Sequence, residues 1–253
     1  MYRNLLSRVQ KKVLRSGWMP HYKGYTPFLI LGAMRTGSNL LRLTLNSSPQ
    51  IIIENEVFNQ KQPELGFTYD TIMGNLFRKY PIPIKAVGCK IFYNHLSKEE
   101  WGKISTLPKF KIIHLRRRNK LRSYLSLKIA EQTNQWIEGQ RKIKPPLAKR
   151  QILINKQDMF VYFSKMELWE RQASERFRER EVLNVYYEDL ATNFVDTISR
   201  VTKFINVTKW NRQYMGIRKQ NAEPMEELIL NFDEIEEALT NTPFQVYLEE
   251  DNV

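Results

Sequence analysis

The sequence is poor in cysteine and histidine, and each shortage excludes a class of protein. Cys89 is the only cysteine and there are three histidines. Neither a disulfide framework nor a zinc-finger ligand set is therefore possible within the chain. A single thiol fits a reducing compartment, so we expect a cytoplasmic protein. The sequence also lacks any apolar run near the roughly 20 residues of a membrane-spanning helix.

Acidic residues are scarce relative to basic ones. The chain has 40 Lys and Arg against 27 Asp and Glu, a formal net charge of +13. Such a balance implies an anionic partner, which is a nucleic acid, a membrane surface or a multiply charged small ligand. The sequence has no RNP-like aromatic strand motif, and we expect no nucleic-acid partner.

The composition and the first residues indicate one domain with an extension. A hydrophobic content of 42% over 253 residues suits a single α/β domain with a sizeable core. Residues 1–20 are basic, with apolar residues at helical spacing, and predict a surface helix packed on the domain. A helix lying on a membrane surface is the runner-up interpretation. We assign 1–26 to this basic helical extension and 27–253 to the single domain.

One stretch predicts a strand, a tight turn and a helix. Four apolar residues beginning at Phe28 precede a glycine-containing polar turn, after which apolar residues recur at helical spacing from Leu40. Backbone N–H groups at a helix start form a ready site for phosphate or sulfate. The alternative is an ordinary turn capped by Ser38. The candidate ligands in the turn are Arg35, Thr36, Gly37, Ser38, Asn39 and Leu40.

Further apolar runs near residues 51, 86, 110 and 182 alternate with helical patterns. The helical patterns include 151–180 and an acidic helix from Pro224 through Leu239. This alternation predicts an α/β fold, a three-layer structure with a central, mostly parallel sheet flanked by helices. Ligands of such sheets bind at the carboxyl ends of the strands. The polar residues that follow predicted strands are Arg35, Glu56, His95 and Arg118.

Several of these residues also have simpler interpretations. Lys90 interrupts an apolar strand and is costly there unless an anion pairs with it. Arg118 ends a run of three arginines, which is either an anion site at a strand-to-helix junction or a solvated cluster. Glu56 is either a catalytic carboxylate or a surface residue, and His95 is either a catalyst or a structural hydrogen-bonding residue.

Together these motifs resemble those of the sulfotransferases that use 3′-phosphoadenosine 5′-phosphosulfate (PAPS), whose fold is P-loop-NTPase-like. The turn from Arg35 to Leu40 is similar to their 5′-phosphosulfate loop. Arg118 and Ser126 are similar to their 3′-phosphate motif, and Arg218-Lys219-Gln220 resembles a late basic segment that closes over the nucleotide. Arg-Thr-Gly-Ser in the turn, Glu56-Val57-Phe58 and the strand containing Lys90 look most like the bacterial carbohydrate enzymes of the nodulation-factor and trehalose type.

The resemblance implies sulfuryl transfer from PAPS to a hydroxyl of a carbohydrate or glycolipid, leaving 3′-phosphoadenosine 5′-phosphate (PAP). Arg118, Ser126, Lys219 and Gln220 would bind the nucleotide with the turn, while Arg35 and Lys90 neutralise the leaving phosphate. Glu56 is the first candidate for the base, His95 the second and Glu54 the third. We expect no metal, because cationic side chains do the neutralising. A homodimer is left open.

Two other functions compete with this hypothesis. A P-loop kinase or another phosphoryl-transfer enzyme needs a lysine followed by a magnesium-binding hydroxyl, which the turn lacks. A non-catalytic polyanion or nucleic-acid binder would use the arginine run at Arg116–Arg118 and the basic segment Arg141–Arg150 as its patch. A sulfotransferase that has kept nucleotide binding and lost its chemistry is a third possibility.

Overall fold

The protein is described by a computed structural model over residues 21–61, 65–136, 145–208 and 221–249. The strands are β1 (His21–Tyr22), β2 (Thr26–Gly32), β3 (Ile51–Glu54), β4 (Tyr80–Pro81), β5 (Ala86–Phe92), β6 (Lys111–Arg116) and β7 (Val182–Tyr186). β1 and β4 form a small antiparallel ribbon. The other five strands form one sheet of order β3-β5-β2-β6-β7, in which every neighbouring pair is parallel.

Helices lie on both faces of this sheet. They are α1 (Ser38–Asn46), α2 (Tyr69–Leu76), α3 (Lys98–Thr106), α4 (Lys120–Thr133), α5 (Lys156–Arg176), α6 (Tyr187–Thr192), α7 (Phe194–Phe204), α8 (Met225–Leu228) and α9 (Phe232–Leu239). Short 3₁₀ helices span Val57–Gln60, Leu147–Lys149 and Gln245–Leu248. Residues of α1 and α7 pack on one face of the sheet, and residues of α2, α3 and the end of α5 pack on the other.

The predicted α/β fold class is confirmed. Successive side chains of the central strand, β2, alternate between the two cores on either side of the sheet. In β2, Phe28 and Ile30 join the core beneath α1 and α7, whereas Leu29 and Leu31 join the opposite core. All four are essentially inaccessible to solvent. A strand buried on both faces is a near-continuous apolar run, which is why β2, β3, β5 and β6 were recognisable, whereas the edge strand β7 is only partly buried, with Asn184 exposed.

The predicted single helix from Pro224 through Leu239 is wrong. The chain forms two helices, α8 and α9, because the backbone between them pairs with the segment before α5. Ile152 N–H donates to the carbonyl of Leu228 at 2.8 Å, and Leu230 N–H donates back to the carbonyl of Ile152 at 3.0 Å. These two bonds interrupt the helix, and they depend on a partner about 75 residues away in the sequence.

Several predictions lie outside the described residues. These are the helix over 1–20 and the nucleotide-binding roles of Lys219 and Gln220. In the part of the chain that is described, no helix is both long and apolar enough to cross a membrane.

Candidate functional site

The turn between β2 and α1 has the backbone geometry of an anion-binding loop. Arg35 and Gly37 both have left-handed backbone conformations, with φ of 65° and 80°. Gly37 is the N-cap of α1, and no side chain in the described ranges caps this helix. The first intrahelical bond runs from Leu41 N–H to the Gly37 carbonyl at 3.0 Å. The N–H groups before it have no acceptor within the helix, and they lie at the carboxyl end of the central strand.

We expect Gly37→Ala to lower the free energy of unfolding by at least about 2 kcal/mol, through the left-handed backbone and local overpacking. A Cβ at this position would lie 2.6 Å from Cδ2 of the Tyr187 ring. Urea denaturation measures the change. Gly74→Ala is the matched control, because a Cβ there meets nothing within 4 Å, and alanine in α2 should stabilise by up to about 1 kcal/mol. Equal effects of the two substitutions would contradict this account of the turn.

Arg35 connects the turn to α4. Its Nε donates to Ser126 Oγ at 2.9 Å and its Nη1 to the carbonyl of Trp136 at 2.7 Å. Burial and the neighbouring Arg117 lower the pKa of Arg35 to about 10, so that it is still a cation at neutral pH. The structure thus brings together two predicted nucleotide ligands, Arg35 and Ser126, from separate motifs.

The other turn residues contribute in different ways. Thr36 is buried and its hydroxyl donates to the Ala33 carbonyl at 2.8 Å, which leaves its side chain committed to the turn itself. Leu40 packs against the core beneath α1. Asn39, in contrast, points its Oδ1 at the buried ammonium of Lys90, 2.9 Å away.

Lys90 pairs with Glu56, as a lysine in a buried strand requires. Its side chain is 1% exposed and its Nζ lies 2.7 Å from Glu56 Oε1. Burial lowers the pKa of Lys90, while the hydrogen bond and charge of Glu56 oppose that shift. The pair joins the end of β5 to the loop after β3 and reaches α1 through Asn39. A cation and a carboxylate therefore meet beside the anion-binding turn.

His95 lies on the other side of Glu56. Its Nδ1 accepts the backbone N–H of Phe92 at 3.2 Å, and its Nε2 lies 4.0 Å from Glu56 Oε2. Burial lowers the pKa of His95, which favours the neutral ring. With Nδ1 used as an acceptor, a neutral imidazole carries its proton on Nε2. The side chain of Glu56 is 25% exposed, and its Oε2 accepts a hydrogen bond from Asn59 Nδ2 at 2.7 Å.

The second predicted anion motif is arranged differently from the first. Arg118 Nη1 donates to Asp189 Oδ1 at 2.8 Å, and its guanidinium lies 4.0 Å from the centre of the Tyr186 ring. Its side chain is 51% exposed and therefore accessible to a ligand. Ser126 bonds to Arg35, not to Arg118.

Sequence reasoning missed two residues beside the turn. Arg117 is buried, with its guanidinium 4.5 Å above the Tyr187 ring and its Nη1 3.5 Å from the carbonyl of Arg35. Tyr162 Oη lies 2.9 Å from Ser123 Oγ, and its pKa is raised mainly by burial. The apolar pattern of α5 indicated only that Tyr162 belongs to the core, and an arginine run does not reveal which member is buried.

The described ranges contain no cluster of three or more His, Cys, Asp or Glu side chains arranged to hold a metal ion. What the site offers instead is a set of backbone N–H groups and cations, together with one carboxylate, at the carboxyl edge of the sheet. Such a set suits a ligand with several negative charges, and the carboxylate is placed to accept a proton.

Comparison with known proteins finds relatives that match most of the chain. No protein-family model matches it. Nodulation protein H of Rhizobium meliloti (strain 1021) is 24% identical over 244 residues, covering 88% of this chain and 95% of the relative. Nodulation protein H of Rhizobium tropici is 25% identical over 247 residues, covering 89% and 94%.

Among solved structures, the chain is similar to mouse sulfotransferase SULT7A1 in complex with PAP. The identity is 15% and the match covers 94% of this chain and 79% of the other, with a TM-score of 0.43. This chain is similar along nearly its whole length to the nodulation H proteins, which confirms the resemblance to sulfotransferases of the nodulation-factor type that its motifs indicated.

Proposed function

We propose that this protein is a sulfotransferase that transfers the sulfuryl group of PAPS to a hydroxyl of a carbohydrate or glycolipid acceptor. The observation that supports it most directly is the Lys90–Glu56 pair beside the β2–α1 turn. At 2.7 Å the pair puts a buried cation and a partly exposed carboxylate next to an anion-binding loop. Transfer of a charged group to a hydroxyl needs these three elements together.

The donor fits the residues of this edge. Backbone N–H groups at the start of α1, with Arg35 and Ser38, would hold the 5′-phosphosulfate. Arg118 and Ser126 would hold the 3′-phosphate. We also propose that Lys219 and Gln220 contact the nucleotide, although they lie outside the described residues.

The transfer step uses Lys90, Arg35 and Glu56. The bond between sulfur and the 5′-phosphate oxygen breaks as a new bond forms between sulfur and the acceptor oxygen. Negative charge grows on the departing phosphate, where Arg35 and Lys90 are placed to neutralise it. The acceptor hydroxyl gives its proton to Glu56, whose side chain is 25% exposed.

Glu56 is the better base of the two groups that face each other. The Nδ1 of His95 already accepts a backbone N–H at 3.2 Å, so the neutral ring has no free nitrogen lone pair to take a proton. The Nε2 of His95 faces Glu56 Oε2 at 4.0 Å, which is beyond hydrogen-bond distance. Glu54 ends β3 and stays the third candidate.

Calorimetric titration with PAP, AMP and ATP tests the donor site. We expect PAP to bind much more tightly than AMP, because the two differ only by the 3′-phosphate. We expect Arg118→Ala to weaken PAP binding by about 10- to 100-fold and to leave AMP binding unchanged. Arg178→Ala is the matched control, because that side chain is 77% exposed on a surface turn.

Equal binding of PAP and AMP by the unmodified protein would contradict the proposed function. Tight, strongly salt-dependent binding to any DNA duplex would instead favour the polyanion-binding alternative. A cytoplasmic location, a homodimer and contact of residues 1–20 with a membrane stay predictions.

A further inference from the structure

The turn between β6 and α4 holds a carboxylate of the protein itself. Oε1 of Glu188 accepts the backbone N–H of Arg118 at 2.9 Å and that of Asn119 at 3.3 Å. Asn119 is the N-cap of α4, so these two groups are the last backbone donors before the helix. Glu188 lies in the first turn of α6 and its side chain is only 13% exposed.

The same short segment also holds the side chain of Arg118. Asp189 Oδ1 lies 2.8 Å from Nη1, Glu188 Oε2 lies 3.8 Å from it, and the ring of Tyr186 lies beneath the guanidinium at 4.0 Å. These contacts raise the pKa of Arg118, chiefly through its hydrogen bond to Asp189. Both the backbone and the side chain of Arg118 are thus bound to residues of one segment, 186–189.

A carboxylate at this position has two consequences. It occupies the place that an anionic ligand takes at a helix N-terminus, and so a ligand phosphate cannot use these backbone groups. Recognition at this junction then depends on the side chain of Arg118. The second oxygen of Glu188, Oε2, is buried and has no hydrogen-bond donor among the described residues, and its nearest cation is the Arg118 guanidinium at 3.8 Å.

We propose that Glu188 is a positioning residue for Arg118 and thereby sets the preference of this site for a ligand with a 3′-phosphate. This inference rests on the proposed function. Glu188 fixes the backbone from which Arg118 projects, while the half-exposed guanidinium is left accessible to a ligand. Glu188 itself does not touch the nucleotide.

The test compares the affinities of the unmodified protein and of Glu188→Gln for PAP and AMP by calorimetry. Glutamine keeps the shape and one acceptor oxygen but removes the charge. We expect PAP to bind about tenfold more weakly to Glu188→Gln and AMP to bind as before, since hydrogen bonds to charged groups are the stronger ones. Glu179→Gln is the matched control, because that carboxylate is 82% exposed on the turn that precedes β7.

A second measurement separates positioning from general stability. In an Arg118→Ala background, Glu188→Gln should cause no further loss of PAP affinity, because its effect acts through Arg118. Equal losses for PAP and AMP, or additive losses in the double variant, would overturn the inference. Glu188→Asp keeps the charge on a shorter side chain and should weaken PAP binding as well, which tests the geometry if the glutamine variant does not fold.

Failure of this inference is distinguishable from failure of the proposed function. If the unmodified protein prefers PAP to AMP and Glu188→Gln does not change that preference, the inference is wrong and the function stands. If the unmodified protein does not distinguish PAP from AMP, both the inference and the proposed function are wrong.

Discussion

Glu56→Gln is expected to lower the rate of sulfuryl transfer by about 10²- to 10⁴-fold while leaving the affinity for PAP unchanged. The amide cannot accept the proton of the acceptor hydroxyl, but it keeps an oxygen for the ammonium of Lys90. In the unmodified protein this ammonium lies 2.7 Å from Glu56 Oε1. The buried lysine therefore retains a partner. The rate is measured as PAP formed from PAPS in the presence of a glycan acceptor, and the affinity by calorimetry.

Two further variants make this result specific to Glu56. Glu54→Gln changes the other carboxylate at the end of β3 and should retain the rate. His95→Gln should lower the rate less than Glu56→Gln, because the ring of His95 lies 4.0 Å from the base and does not replace it. A full rate for Glu56→Gln, or a greater loss for His95→Gln, would show that the base is misassigned.

Lowering the pH should destabilise the protein through His114, a neutral histidine buried in β6. Its side chain is 2% exposed, and its Nε2 lies 2.7 Å from Tyr93 Oη. Burial, together with the charges of Arg116 and Lys120, lowers the pKa of His114 from 6.5 to about 3. The protonated ring is therefore excluded from the folded state until strongly acidic pH is reached.

The sign of the effect follows from which state binds the proton. Between about pH 6.5 and 3 the unfolded chain protonates this histidine and the folded protein does not. The stabilising contribution is thus fully present above pH 6.5 and is lost as the pH falls toward 3. The total loss is on the order of 5 kcal/mol, since each unit of pKa shift is worth about 1.4 kcal/mol.

Urea denaturation at pH 7 and at about pH 4.5 tests this expectation against the variant His114→Gln. The other ionisable groups are common to both proteins, so the difference in their pH dependence isolates His114. The unmodified protein should lose about 2–3 kcal/mol more than the variant over this interval. Identical pH dependence in the two proteins would rule out a neutral buried His114 as the cause.

Four strands of the main sheet were predictable because they are mostly buried and so form near-continuous apolar runs, and β7 was predictable because its apolar residues flank a single exposed asparagine. The ribbon of β1 and β4 was not, since two residues per strand carry no pattern. The break between α8 and α9 was also hidden, because it is caused by backbone pairing with Ile152, a residue distant in sequence. Local patterns record which side chains are buried, but they do not record which distant backbone groups compete for the same hydrogen bonds.

For the candidate site, the sequence by itself determined the chemical inventory and its order along the sheet. It placed Arg35, Glu56, His95 and Arg118 after strand ends, and it showed that a lysine in β5 requires an anion. Only the tertiary structure decided the pairing: Lys90 with Glu56, Arg35 with Ser126, and Arg118 with Asp189. Burial raises the cost of an unpaired charge. Which partner lies within reach, however, depends on helix packing across the sheet, and no local spacing encodes it.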